Sequence, residues 1–409
     1  MNDEILANDL RAFTPVEILD TGSAFDSGIP GEGIGLCLSG GGYRATLFHL
    51  GALWRLNEVG YLRKVDRISS VSGGSLLSGV LGLNWNRLGF DNYGVGTQFA
   101  AAVVEPIRAL CGRTIDAGAI LGGALGPGSI GDRVVSAYQD YLYGEATLQD
   151  LPDHPLFVIN ATNVQSGALW RFMKPYMRDY RVGEVKNPTV RLAQAVAAST
   201  AFPPFLSPMR LEVQDADFTP RSGLDLQFEP YTSDVYLSDG GVYDNLGLET
   251  VWKRYDTVLV SDGGGKLQPE AEPKVDWARH TYRTLSLIDN QVRSLRKRQV
   301  IDSYQLRTKL LAQGVDPGND FFKRATRKGS YWGIRSDMAN YRLPDALDCP
   351  EEKTIALANT PTRMKRLEPD LQEKLINWGY AICDAAIRKH VDPALPAPPG
   401  FPYPQVGVG

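Results

Sequence analysis

The chain has 409 residues, of which 43% are hydrophobic and 22% charged, and carries a formal net charge of −4. That composition suits a globular protein large enough to bury a core without covalent staples, and its mild acidity leaves no electrostatic footprint for nucleic acid. The four cysteines, Cys37, Cys111, Cys349 and Cys383, are too widely spaced for a C-x-x-C metal or redox motif, so free thiols in a reducing compartment are expected.

The start, Met1-Asn2-Asp3-Glu4, is acidic and lacks the basic and apolar regions of a signal peptide. No apolar run reaches the ~18 residues of a bilayer span. A cytoplasmic protein with at most peripheral membrane contact is the expectation. Residues 1–30 read as an irregular lead-in. Ile34–Leu38 is short and apolar on both faces, as a buried parallel strand is. Ser39-Gly40-Gly41-Gly42 breaks it, and a helix is predicted from about 44 to 59, closed by Gly60.

The same grammar repeats. Arg67–Val71 reads as a strand, Ser72-Gly73-Gly74 as a turn, and Leu76, Leu77, Val80 and Leu81 as one helical face. Two strand–turn–helix units in succession predict an α/β fold, a three-layer α/β/α sandwich around a mainly parallel sheet. Within 86–150, segment 97–112 looks helical and 115–130 is rich in Gly, Ala and Ile; the insert reads as packing helices or as a mobile cover. Further strands are expected at 156–159, 235–237 and 258–260, and helices at 189–200, 274–312 and 366–389. The organisation expected is one catalytic domain over 1–390, with a motif core at about 33–250 and a mainly helical extension over 270–390. The Pro-rich tail 391–409 reads as extended or disordered.

Three places carry chemistry. Ser70-Val71-Ser72-Gly73-Gly74 has the small-residue form of a nucleophile elbow, which lifts a serine hydroxyl off a strand end and aims helix N-terminal N–H groups at a reacting oxygen. The glycine run 40–42 can turn its N–H groups toward an anion, which fits an oxyanion hole, a phosphate site or simply a tight turn. Asp239-Gly240-Gly241 follows a strand and offers a carboxylate base, but Asp262-Gly263-Gly264 does the same.

Taken in order, Gly40-Gly41-Gly42-Tyr43-Arg44, Ser72, Ala198-Ser199-Thr200-Ala201-Phe202-Pro203 and Asp239-Gly240-Gly241 resemble the motifs of patatin-like phospholipases, over about half the chain. The departures are Ser70 at the first elbow position and Ala45 after Arg44, where glycine is usual. The resemblance favours Asp239 over Asp262, because Asp239 runs on into Val242-Tyr243-Asp244-Asn245 as the family's aspartate does. It implies a serine lipid acyl hydrolase, with Ser72 as nucleophile and Asp239 as base. The oxyanion hole would lie along Gly40, Gly41, Gly42 and Gly73, with the last three donating their N–H groups. Substrates would be phospholipids or other acyl esters, with neither metal nor cofactor.

Arg44 either braces the glycine loop or meets a lipid phosphate. Among the four histidines, His49 reads as structural, and His280 and His390 are the candidates for a conventional triad. Basic clusters at Arg293, Arg296, Lys297, Arg298 and at Lys323, Arg324, Arg327, Lys328 read as solvated helix faces, or as contacts for headgroups or a nucleotide. Two alternatives stand beside the enzyme: a phospholipase effector gated by a nucleotide second messenger, and a non-catalytic lipid-binding module.

Overall fold

The computed structural model describes residues 29–115, 130–203 and 206–409. The lead-in expected over 1–30 and the segment 115–130 therefore lie almost wholly outside the described residues.

Strand β1 (Gly31–Leu38) shows why the opening apolar run has no polar face. Leu36 and Leu38 belong to one hydrophobic cluster and Cys37 to another, and all three are fully buried. Alternate side chains point to opposite faces of a sheet, so both faces are covered. On one side lie α1 (Gly42–Glu58) and α2 (Gly73–Asn84). On the other, Cys37, Val258, Val260, Val251 and Val300 share the second cluster.

The sheet runs β2 (Arg67–Val71), β3 (Leu156–Asn163), β4 (Ala168–Phe172), β5 (Tyr176–Asp179), β6 (Gly183–Lys186), β7 (Met209–Glu212), β8 (Asp234–Asp239), β9 (Tyr255–Asp262) and β10 (Lys328–Gly333). Its spatial order is β10-β9-β1-β2-β3-β4-β5-β6, with β8 joining β3 and β7. From β10 to β3 neighbours are parallel; β4 to β8 pair antiparallel.

One branch positions the site. β3 pairs β2 along Leu156–Asn160, and then pairs β8 along Ala161–Asn163. β4 already occupies the other edge of β3, pairing Ala161 with Trp170. β8 therefore lies on the same edge as β2 and meets it head-on. Val71 is opposite Asn160 and Asp239 opposite the next residue, Ala161.

Among the remaining helices are α3 (Glu105–Cys111), α4 (Ile130–Tyr138), α5 (Leu192–Ser199), α6 (Gly241–Asp244), α7 (Glu249–Trp252), α8 (Trp277–Ala312), α9 (Asp320–Ala325), α10 (Glu351–Ala358) and α11 (Pro369–His390). α11 packs along α1 and buries it almost completely, so α1 is sandwiched between sheet and helix. The described part of the 86–150 insert is packing structure: Val103, Ile107, Val134 and Tyr138 join the main core. The Pro-rich tail has no regular elements but is part of the domain. Asn377 Nδ2 donates to the carbonyls of Tyr403 and Gly407 at 2.8 and 2.7 Å, and Val408 is buried. No helix among the described residues is long and apolar enough to cross a membrane.

Candidate active site

Ser72 occupies the turn between β2 and α2 with φ 51° and ψ −118°. A non-glycine residue there stores strain of about 1–3 kcal/mol, and the surroundings hold it in place. Its main-chain N–H donates to Ser199 Oγ at 3.0 Å. Ser199 and Ser75 hydroxyls pair at 2.9 Å, Ser75 donates to Ser70 Oγ at 3.1 Å, and Ser70 donates to the Val158 carbonyl at 3.2 Å. The serine at the first elbow position is thus a working member of a hydroxyl chain under the turn. The Ser72 side chain does not cap α2, which leaves its hydroxyl available.

Asp239 ends β8 and is 2% exposed. Its Oδ1 accepts the Gly241 N–H at 2.7 Å. Oδ2 is buried and has no fully formed hydrogen bond, although the Ser72 side chain is close enough to favour the ionised carboxylate. Catalytic hydrogen bonds are commonly long before substrate binds. Burial pushes Asp239 up to about 7; the Gly241 N–H and Ser72 pull the other way, and Asp289 adds to the rise. The end of α5 and the residues just after it steady both partners. Besides the Ser199 contact, the Ala201 carbonyl accepts the Asp239 N–H at 2.8 Å. Thr162 Oγ1 donates to the Asp239 carbonyl at 2.8 Å.

The glycine loop lies alongside. Gly41 and Gly42 have φ of 145° and 59°, conformations that glycine alone adopts freely. A side chain on Gly73 would strike the main chain of Gly42, so the two turns are in backbone contact. Gly42 and Gly73 open α1 and α2, where first-turn N–H groups have no intrahelical partner. Among the turn and loop hydrogen bonds of the described residues, none uses the N–H of Gly41, Gly42 or Gly73. Gly40 differs: its N–H donates to the Asn245 carbonyl at 3.0 Å, so its part is to anchor the loop rather than to donate.

Ser72, Asp239 and the loop residues Gly41 and Gly42 open onto a cavity of about 700 Å³. Gly41, Gly42, Ser72, Asp239 and Asn245 form one end. Phe202, Leu206, Leu267 and Met364 supply apolar wall, and Tyr282, Ser286, Asp289, Asn290 and Arg293 of α8 close another side.

Arg44 is not part of that wall. It is 2% exposed, with Nε bonded to the Gly263 carbonyl at 3.0 Å and Nη1 to the Thr360 carbonyl. Of the two readings of Arg44, brace or substrate-binding residue, these bonds favour the brace, which ties the start of α1 to the loop after β9. Burial, reinforced by Arg293, lowers its pKa to about 10.

Asp262 is a structural acid. Arg293 Nε contacts its Oδ2 at 3.1 Å, Tyr331 donates to the same oxygen at 2.6 Å, and the Gly264 N–H reaches Oδ1 at 2.9 Å. Although burial opposes it, Arg293 and these donors hold its pKa below the usual carboxylate range. His49 is fully buried between Ser261 Oγ at 2.7 Å and the Ser39 carbonyl at 2.9 Å. Burial lowers its pKa to about 4, so it is neutral and donates from Nε2 to Ser39. His280 and His390 do not line the cavity.

Much of the basic clusters is engaged internally. Arg296 pairs with Asp244 and Glu249, Arg327 bonds the Trp252 carbonyl, and Lys328 pairs with Asp256. Sequence reasoning gave no role to Ser75, Ser199 or Asp289. Ser199 stood inside a quoted motif, but nothing local reveals which main-chain group it serves.

A family model described as "Patatin-like phospholipase" matches residues 36–252. No curated protein sequence matches the chain. Similar solved structures include human GIVD cytosolic phospholipase A2, at 12% identity and TM-score 0.46, covering 93% of this chain and 65% of that one. The same human protein in complex with methyl gamma-linolenyl fluorophosphonate matches at 14% identity and TM-score 0.46, over 94% and 63%. VipD from Legionella pneumophila matches at 15% identity and TM-score 0.31, over 86% and 66%. The chain spans a little under two thirds of the length of these proteins.

Proposed function

From the premise that this chain belongs to the patatin-like phospholipase family, we propose that it hydrolyses carboxylic ester bonds of phospholipids or related lipids with a Ser72–Asp239 dyad. The observation that carries this reading is a strained serine turn facing a buried carboxyl, held near neutral pKa, in an apolar-walled cavity.

In the first half-reaction the Ser72 hydroxyl proton passes to the Asp239 carboxylate as Oγ bonds to the ester carbonyl carbon. Free N–H groups of Gly41, Gly42 and Gly73 receive the negative charge on the carbonyl oxygen. The carbon–alkoxy bond then breaks, and Asp239 returns the proton to the leaving alcohol. In the second half-reaction water adds to the acyl carbon and gives its proton to Asp239. The Ser72–acyl bond breaks, the fatty acid leaves, and the proton returns to Ser72. A base poised near the working pH suits both transfers. Phe202, Leu206, Leu267 and Met364 offer the acyl chain an apolar wall.

The test compares wild type with Ser72→Ala and Asp239→Asn on a medium-chain p-nitrophenyl ester and on phospholipid vesicles. Loss of hydrolysis in both variants, with folding intact, is the expected result. Undiminished turnover by Ser72→Ala would overturn the assignment.

A further inference from the structure

Helix α8 is oriented the wrong way round for a globular surface. It is 36 residues long, and its only buried residues are Val300 and Ser303, so its first six turns bury nothing completely. Surface helices ordinarily turn an apolar stripe inward and a polar one outward. Here the inward side, facing the cavity, carries Tyr282, Ser286, Asp289, Asn290 and Arg293. At about 100° per residue, Trp277, Thr281, Thr284, Leu285, Ile288 and Leu295 fall together on the outward side, in an arc of roughly 100° that holds no charged residue over 277–295 and whose Leu285 edge adjoins Tyr282 and Asp289 of the cavity side. Trp277 is 82% exposed, Leu285 53%, Ile288 56% and Leu295 57%. The stripe is about 27 Å long at 1.5 Å per residue.

The apolar surface continues round the cavity. Tyr282 and Phe202 both line the cavity and are both substantially exposed. Val242, half exposed, sits on α6, which packs against α8. Charge plays a lesser part. Arg279 and Arg283 are paired with Asp276 and Glu270, and Arg293 and Arg296 with buried acids.

We propose that the outward stripe of α8 is a membrane-docking surface, which seats the cavity mouth on a lipid bilayer. The continuity decides the occupant: one helix is both the wall beside Ser72 and the apolar outer surface, so a lipid drawn from the bilayer moves along α8 into the cavity. The proposal rests on the lipid-hydrolase reading. The helix lies beyond residues 36–252, so this surface belongs to the chain's own extension. Because the basic residues are largely paired, docking is driven by apolar insertion and persists on zwitterionic lipid in high salt.

The experiment uses the full chain with phosphatidylcholine vesicles, comparing wild type, Ser72→Ala and the double variant Leu285→Asp/Ile288→Asp. Neither aspartate site touches the cavity, and both side chains are exposed, so folding is preserved and is checked by melting. Wild type and Ser72→Ala are expected to sediment with vesicles. The double variant should bind at least about tenfold more weakly, as loss of two inserted aliphatic side chains implies. Its turnover of the soluble p-nitrophenyl ester should stay within about twofold, since that substrate needs no docking. Equal sedimentation of wild type and the double variant overturns docking while leaving hydrolysis untouched. So does failure of wild type to sediment, including the case where the double variant converts a dimer to a monomer. Docking that depends on the stripe without hydrolysis of any ester sinks the enzymatic reading and leaves the surface standing.

Discussion

The main-chain N–H of Ser72 donates to the side-chain oxygen of Ser199, 127 residues further along the chain, at 3.0 Å. This bond holds a strained turn from outside the turn. Ser199→Ala would leave that N–H without its acceptor, at a cost of about 1–3 kcal/mol. The expected outcome is a lower kcat on a soluble ester with KM little changed, because the turn relaxes while the cavity wall stays. Steady-state kinetics and chemical denaturation of the same variant check both parts.

Activity should rise with pH through about 7, where burial places the Asp239 carboxyl. The base must be ionised to accept the serine proton, so the acidic limb of kcat/KM reports it. Asp289, on α8, raises Asp239 further. Asp289→Asn should move the limb to lower pH; a limb that stays in place would show that Asp289 does not act on Asp239.

The same group has a consequence for stability. Asp239 binds its proton more tightly folded than unfolded, so ionising it costs folding free energy. Its contribution is fully present below the unfolded value of about 4 and is lost as pH rises through about 7. Asp239→Asn should therefore melt higher than wild type at about pH 8, and the advantage should shrink toward about pH 5. Paired thermal melts across that range decide the matter.

His49→Ala should lower stability without moving the acidic limb. The ring links Ser39 and Ser261 and is already neutral, with a pKa near 4. Disappearance of the limb near 7 in this variant would point to histidine as the base instead.

Arg293→Met would strip the buried Asp262 of its cation, while Tyr331 and Gly264 remain as donors. Breaking such a pair costs about 3–5 kcal/mol. Denaturant unfolding should show that loss, and Arg293→Lys should recover part of it.

What was legible in the sequence was local. β1 with its glycine loop and α1, and β2 with Ser72 and α2, are encoded by adjacent residues whose apolar spacing changes from strand to helix at a turn. The residues that follow each carry the sequence's preference for Asp239 over Asp262, and the environments of the two differ. Asp262 is held by Arg293 and Tyr331, whereas Asp239 is buried and forms no ion pair among the described residues. Composition does not reveal that Asn377 Nδ2 donates to carbonyls of the Pro-rich tail or that Val408 is buried.

The sequence by itself determined the motifs and their order, since turn chemistry and periodicity act over a few residues. Only the tertiary structure decided that β8 runs antiparallel to β3 and meets β2 end to end, since strand pairing between residues 161 and 239 has no local signature. It also decided the near-neutral pKa of Asp239, because burial is a property of everything packed around a group rather than of the group's neighbours in the chain.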